Sequence, residues 1–310
     1  MSDTPKQDRP LIETEFRTII EDARSRHAAV VGLLYANDSQ AVALLRTYVT
    51  LGIATASGTA AGLGQSAIIS AFRQGVTRPP SEGPYTPRQG LGAHYRALLT
   101  PQFIRHMAAL ATFNWRAAEL DAFDKPADGS SEGVLWALNG WRRVWEEDAV
   151  EANALVTLAY HWLREHAPPI DHVSLVHGDF RAGNFLFDPD TAQITAMLDW
   201  EMVHLGDRHE DLAFLMSPLF TETDEDGRIL VGGFCPREEL VAEYERLSGL
   251  PVDEDRLGYY RVFTAWRSAI ITLATAARCV MGAKTHQDIR VAWIANTGAL
   301  SLQELWSALK

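Results

Sequence analysis

The chain has 310 residues, 47% of them apolar, which suffices for one large or two modest domains around a real core and excludes a disordered polymer. Its 28 Lys and Arg against 40 Asp and Glu leave a net charge of −12, which repels nucleic-acid phosphate, so DNA and RNA are excluded as partners. Two cysteines, Cys235 and Cys279, form no metal or redox motif and fit a reducing cytoplasm, although two thiols could pair.

The polar leader 1–10 has no basic stretch running into an apolar one, so it does not read as a secretory signal. Ile12, Phe16, Ile19, Ile20 and Ala23 recur at helical spacing and predict a helix within 11–34. A second is expected over 38–51, capped at Asn37-Asp38-Ser39. No charged residue occurs from Thr47 to Phe72, a run long enough to cross a bilayer, bracketed by Arg46 and Arg73. Gly58 and Gly62 fit a close helix contact. The many Ser, Thr and Gly dilute its apolarity, so a buried soluble helix pair is preferred and membrane association through 47–72 is the minority reading. The run also holds Gly58, Gly62 and Gly64, the one candidate for a glycine-rich phosphate loop, but no alternating strand pattern flanks it. Residues 1–74 are therefore expected to form an atypical helical segment, and the Pro- and Gly-rich 75–89 a linker.

Within 90–310 helices dominate. Thr100 and Pro101 read as a helix cap and first turn, with the helix running towards Trp115. Ser131 opens another, whose Trp136, Leu138, Trp141 and Trp145 are expected to pack in the core rather than to form an aromatic binding stripe. A third runs from Asn153 to His166, and further helices are expected over 236–247, 256–280 and 288–309. The acidic clusters Glu222 to Asp226 and Asp253 to Asp255 read as solvated surface, with attraction of a cationic acceptor as the alternative. His204, His209 and His286 lack metal-ligand spacing and are not assigned to zinc.

Between these helices lies the chemistry. His177-Gly178-Asp179 places an acid five positions before Asn184, the spacing of the protein-kinase loop H-R-D-x-x-x-x-N, with Gly178 where that pattern has arginine. Residues 184–187 and 193–198 are strand-like runs joined by turn chemistry at Asp188 to Thr191. A hairpin of this kind would bring Asn184 and Asp199 to one edge, where an amide and a carboxylate suit a magnesium ion that draws its other oxygens from phosphate and water.

Those residues, continued by Leu198-Asp199-Trp200-Glu201, Gly206-Asp207 and Asp211, resemble the aminoglycoside phosphotransferase family, to which choline kinases and homoserine kinases are kin. The wording further resembles the kinase-like domains that accompany acyl-CoA dehydrogenases. The resemblance implies a kinase-like large lobe, α+β and mostly helical around a catalytic hairpin. It implies that Asp179 takes the proton of a substrate hydroxyl and that Asn184 and Asp199 bind magnesium. By the same likeness Arg181 faces the transferred phosphate, Glu201 supports the nucleotide and metal site indirectly, His177 packs beneath the loop, and Asp207 and Asp211 brace it.

The N-terminal quarter departs from that pattern. A kinase small lobe carries a lysine that pairs the α and β phosphates, yet the chain has lysine only at Lys6, Lys125, Lys284 and Lys310. Arginine, planar and bulky, replaces that ammonium only with a rebuilt pocket. Two readings follow: a cytoplasmic ATP- and magnesium-dependent kinase of a small-molecule hydroxyl, or an inactive kinase-like remnant that serves as a binding module. Aminoglycosides, amino alcohols, sugars and hydroxyacyl thioesters all remain open as acceptors.

Overall fold

A computed structural model describes residues 55–57, 68–70, 74–80, 90–118, 120, 123–282 and 291–310. The expected helices in 11–34 and 38–51, most of 47–72, linker residues 81–89 and His286 lie outside the described residues. The described chain forms two units, one drawn from 55–77, 114–124 and 185–203, the other from 78–113, 125–184 and 204–310.

In the first unit, β1 (Thr55–Ser57) pairs antiparallel with β2 (Ile68–Ser70), so the helix expected across these positions is not formed there. Thr55 and the Ile68-Ile69 pair are β-branched and fit a pleated ladder better than a helix.

The second unit is largely helical. Its first helix, α1 (Gly92–Ala111), begins eight residues before the expected cap and carries Pro101 in its interior. Thr100 does not cap it; its hydroxyl donates to Arg96 O at 2.7 Å. A proline normally breaks a helix, but the buried face of Leu99, Phe103, Ile104, Met107 and Ala108 continues on both sides of it and outweighs the lost hydrogen bond. Helices α2 (Glu132–Asp148) and α3 (Ala154–Glu165) follow the sequence closely. Asn153 caps α3 by accepting from Leu155 N and Val156 N at 3.0 and 3.2 Å. On α2 only Leu138 of the expected core stripe is fully buried; Trp136 is 38% exposed and Trp141 and Trp145 are half-buried, because the helix lies at the surface with one narrow face inward.

After α3 come β3 (Val173–Val176), then β4 (Phe185–Phe187) and β5 (Ile194–Met197) in the first unit, then β6 (His204–Asp207) back in the second. β3 pairs antiparallel with β6, setting Val176 opposite His204. Then follow α4 (His209–Leu215), a 3-10 turn at Pro218–Phe220, the short pair β7 (Glu222–Thr223) and β8 (Ile229–Leu230), α5 (Arg237–Ser248) and α6 (Glu254–Ile270). A π turn, Ile271–Thr275, carries α6 into α7 (Ala276–Met281), and α8 (Ala292–Ala295) and α9 (Gly298–Ala308) end the chain.

The core of this unit is aromatic. α6 contributes Tyr259, Tyr260, Phe263 and Trp266, all buried. Two of their polar atoms reach backbone: Trp266 Nε1 donates to Val156 O at 2.9 Å and Tyr259 Oη to Leu163 O at 3.1 Å, which ties α6 to α3. The acidic clusters are not merely solvated. Asp253 caps α6 through Asp255 N and Arg256 N, and the buried Asp224 accepts from Asp226 N, Arg228 N and Arg228 Nε. Among the described residues no helix is long and apolar enough to cross a membrane. Neither cysteine forms a disulfide; Cys235 is buried, which pushes its thiol up to about 12, and Cys279 is exposed.

Candidate active site

The segment His177–Asn184 follows β3 without regular structure, so it depends on side chains for its shape. Asp211, in the first turn of α4, supplies most of that support: Oδ2 accepts from His177 N and Oδ1 from Gly178 N, each at 2.8 Å. Burial pushes the Asp211 carboxyl up, against the opposing pull of His177 and the two N–H groups. Gly178 sits at φ +83, a left-handed turn that a side chain would strain. His177 is fully buried and its Nδ1 accepts from Asp179 N at 3.2 Å. Its ring meets Phe180 edge-on, 5.6 Å between centroids. Phe180 in turn packs against Phe103 of α1 at 4.5 Å, and Phe103 stacks on Phe234 at 4.0 Å. Thus the residue after Asp179 is an anchor set in the hydrophobic core.

Three of the expected site residues converge here. Arg181 Nε donates to Asp179 Oδ1 at 2.9 Å, and Asn184 Nδ2 donates to Asp179 Oδ2 at 2.5 Å and to Asp179 O at 2.9 Å. The Asp179 and Arg181 side chains are 19% and 34% exposed. Asn184 is 4% exposed, and because its amide nitrogen is engaged by Asp179, its amide oxygen is left to accept; no described residue donates to it. An amide oxygen presented in this way is the donor a hard cation takes.

Asp199 and Glu201 belong to the other unit, at the end of the β4–β5 hairpin. Phe185 pairs with Met197 and Phe187 with Ile194, across a turn in which Asp188 Oδ1 accepts from Asp190 N and Thr191 N at 2.8 and 3.2 Å. The hairpin is also pinned to Val76, whose N–H and C=O pair with Phe187 at 2.9 and 3.0 Å. The start of β4 thus lies beside the end of β5, and Asp199 follows β5 by two residues. Trp200 is buried and its Nε1 donates to Met197 O at 3.0 Å, locking the chain next to Asp199. Asp199 itself is exposed, has no hydrogen bond or ion pair among the described residues, and holds a left-handed backbone at φ +66. A carboxylate is, like an amide oxygen, a donor type that magnesium accepts alongside phosphate and water. Glu201 is exposed.

Asp207 does not brace the loop. Its Oδ1 accepts from His209 N at 3.0 Å and pairs with His209 Nδ1 at 2.6 Å, while Oδ2 accepts from Arg256 at 3.0 Å. Burial alone would raise this carboxyl, but His209 and Arg256 outweigh it and hold it below its ordinary value. Asp171 takes both terminal nitrogens of Arg208, at 2.7 and 3.0 Å. Asp171, Asp207 and His209 bring ligand atoms within 4.8 Å of one another, a geometry open to a metal, but two guanidinium groups already supply the positive charge and His209 Nε2 accepts from Asp253 N at 3.0 Å. This cluster is a brace between the start of α4 and the start of α6. Beside it, the buried Glu210 accepts from Arg267 Nη1 at 2.9 Å and meets His204 Nε2 at 3.3 Å.

The sequence reading overlooked two contacts of the loop. Phe180 lies inside the motif, where an aromatic flanked by polar residues was itself the signal for an anchor. Phe220, whose ring lies 5.9 Å from the Arg181 guanidinium, is about forty positions away and leaves no local mark.

Known proteins resemble the chain in sequence and in fold. Acyl-CoA dehydrogenase family member 10 of Mus musculus is 28% identical over 174 residues, covering 54% of this chain and 16% of that protein. Acyl-CoA dehydrogenase family member 11 of Gallus gallus is 29% identical over 189 residues, covering 58% of this chain and 24% of its own length. The chain therefore spans less than a quarter of either relative. Among solved structures, a Ralstonia eutropha protein assigned to the aminoglycoside phosphotransferases superposes with a TM-score of 0.60 at 22% identity, covering 79% of this chain and 73% of that one. A choline kinase of Cryptosporidium parvum gives 0.54 at 12% identity, covering 89% and 80%. These two likenesses speak for the kinase-like fold. A family model described as the phosphotransferase enzyme family matches residues 90–260, more than half of the chain, and the protein belongs to that family.

Proposed function

We propose that this protein transfers the γ-phosphoryl group of ATP to a hydroxyl of a small molecule, with magnesium bound at Asn184 and Asp199. The observation that carries the reading is the setting of Asp179: a carboxylate whose orientation is held by Asn184 while the backbone before it is held by Asp211 through the preceding two residues. In the transfer, the acceptor O–H gives its proton to Asp179, the acceptor oxygen forms a bond to γ-phosphorus, and the bond from γ-phosphorus to the bridging oxygen breaks, releasing ADP. Arg181 neutralises charge on the phosphoryl oxygens, and Glu201 supports the nucleotide side. Bound magnesium would screen the β and γ oxygens and favour the in-line arrangement. Positioning accounts for most of the rate in such chemistry, which suits a loop fixed by Asp211 and Phe180.

Membership of the phosphotransferase enzyme family supports a phosphoryl donor, and the absence of lysine from residues 7 to 124 supports the competing reading of an inactive binding module. Calorimetric titration of magnesium-ATP into the folded chain separates them. Binding that Asp199→Ala abolishes is expected, and Asp179→Asn should keep binding while lowering transfer to any acceptor by about 10²- to 10⁴-fold. A folded wild-type chain that binds no nucleotide would overturn the kinase reading.

A further inference from the structure

Arg181 is parked on the base it is expected to serve. Nε donates to Asp179 Oδ1, Nη1 donates to Ala182 O at 3.2 Å, and the guanidinium rests near the Phe220 ring. The loop is shaped for this curled position: Gly183 has φ +100, and a Cβ there would stand 3.2 Å from Arg181 Nη1. Of the five N–H donors of a guanidinium, these contacts use two, and three are left without a described partner.

We propose that Arg181 exchanges partners during turnover, leaving Asp179 for the γ-phosphate when the triphosphate arrives, so that the catalytic carboxylate is uncovered only in the nucleotide complex. This inference rests on the kinase reading above and adds a sequence of events to it. A partly exposed ion pair is a weak contact in water, whereas a phosphoryl group offers a guanidinium two parallel acceptors and more than one negative charge. The exchange is therefore favourable with ATP and has no counterpart with ADP, which lacks the group that draws the arginine away. Asn184 stays on Oδ2 throughout and keeps the carboxylate aimed, while Oδ1 becomes available for the acceptor hydroxyl. The proton then passes to Oδ1 as the new O–P bond forms and ADP leaves. In the empty chain the same pairing keeps Asp179 covered, so an acceptor arriving first meets a base that already has a cation on it.

The arginine Nε–Hε resonance of the 15N-labelled full chain reads this directly, with Arg181→Lys assigning the peak and Asp179→Ala giving its position without the carboxylate. Magnesium with a non-hydrolysable ATP analogue should move the Arg181 peak away from its carboxylate-bonded position, and magnesium-ADP should leave it in place. An unmoved peak while calorimetry reports binding of the analogue would overturn the exchange and leave the kinase reading standing. Equal movement with both nucleotides would overturn the requirement for the γ-phosphate. Failure of the folded chain to bind either nucleotide would remove the exchange together with the kinase reading.

Discussion

Asp199 is where conformation and chemistry pull in opposite directions. A left-handed backbone costs a residue with a side chain roughly 1 kcal/mol relative to glycine, and Asp199 recovers nothing through contacts among the described residues. Asp199→Gly should therefore stabilise the fold by about 0.5–1 kcal/mol, seen as a higher unfolding midpoint, while removing magnesium-dependent nucleotide binding. A variant that binds magnesium-ATP as well as the parent would show that Asp199 is no ligand. At this scale the motif spacing was informative: it singled out Asp179 and Asn184, which hydrogen-bond to one another. The resting partner of Arg181 was not legible, since an offset in sequence specifies neither a rotamer nor a neighbour such as Phe220.

Elements show a different balance. The segment His177–Asn184 has no ladder or helix of its own and borrows rigidity from α4 through Asp211 and from α1 through Phe103. Asp211→Asn turns one buried acceptor into a donor that faces a backbone N–H. The expected loss is about 1–3 kcal/mol in urea-induced unfolding, with a fall in transfer rate beyond what the stability change explains. Unchanged stability would mean that the two hydrogen bonds are dispensable. The hairpin, α2, α3 and α5 were readable from periodicity, caps and turns. The start of α1 was not, because the rule that places proline in a first turn is local, whereas the buried stripe from Leu99 to Ala108 is set by the partners it meets. The tryptophans of α2 were misjudged for a similar reason: helical spacing reports that residues share a face, not how far that face is covered.

Across the larger unit, charge does structural work on the acid side. Burial works against ionisation of Asp171, but its bonds to Arg208 and the nearby Arg256 prevail and bring its carboxyl down from 3.8 to about 2. A carboxyl lowered in the folded state contributes stability in full above its unfolded value and loses it as pH falls through the folded one. The stability gap between the parent and Asp171→Asn should therefore be constant at neutral pH and close between about pH 4 and pH 2, as followed by unfolding midpoints. A gap that persists at pH 2 would place the effect in packing rather than charge. The net charge of −12 announced an acidic surface, yet no count of residues could show that Asp171, Asp207 and their arginines form one brace. Nor could the uncharged run 47–72 reveal the strands at Thr55–Ser57 and Ile68–Ser70, because small and hydroxylated residues are compatible with either backbone.

The burial of Phe180 between Asp179 and the aromatic stack joins two properties that many enzymes keep apart. A catalytic segment on a free-standing loop can fray on warming while the body stays intact, and activity then fades early. Here fraying would have to withdraw a phenyl ring from Phe103 and two backbone groups from Asp211, so the segment has little local melting of its own. Heat resistance of the segment is thereby set by the cohesion of the whole helical unit, and improving the packing around Phe234 is a route to a hardier loop that leaves Asp179, Arg181 and Asn184 untouched.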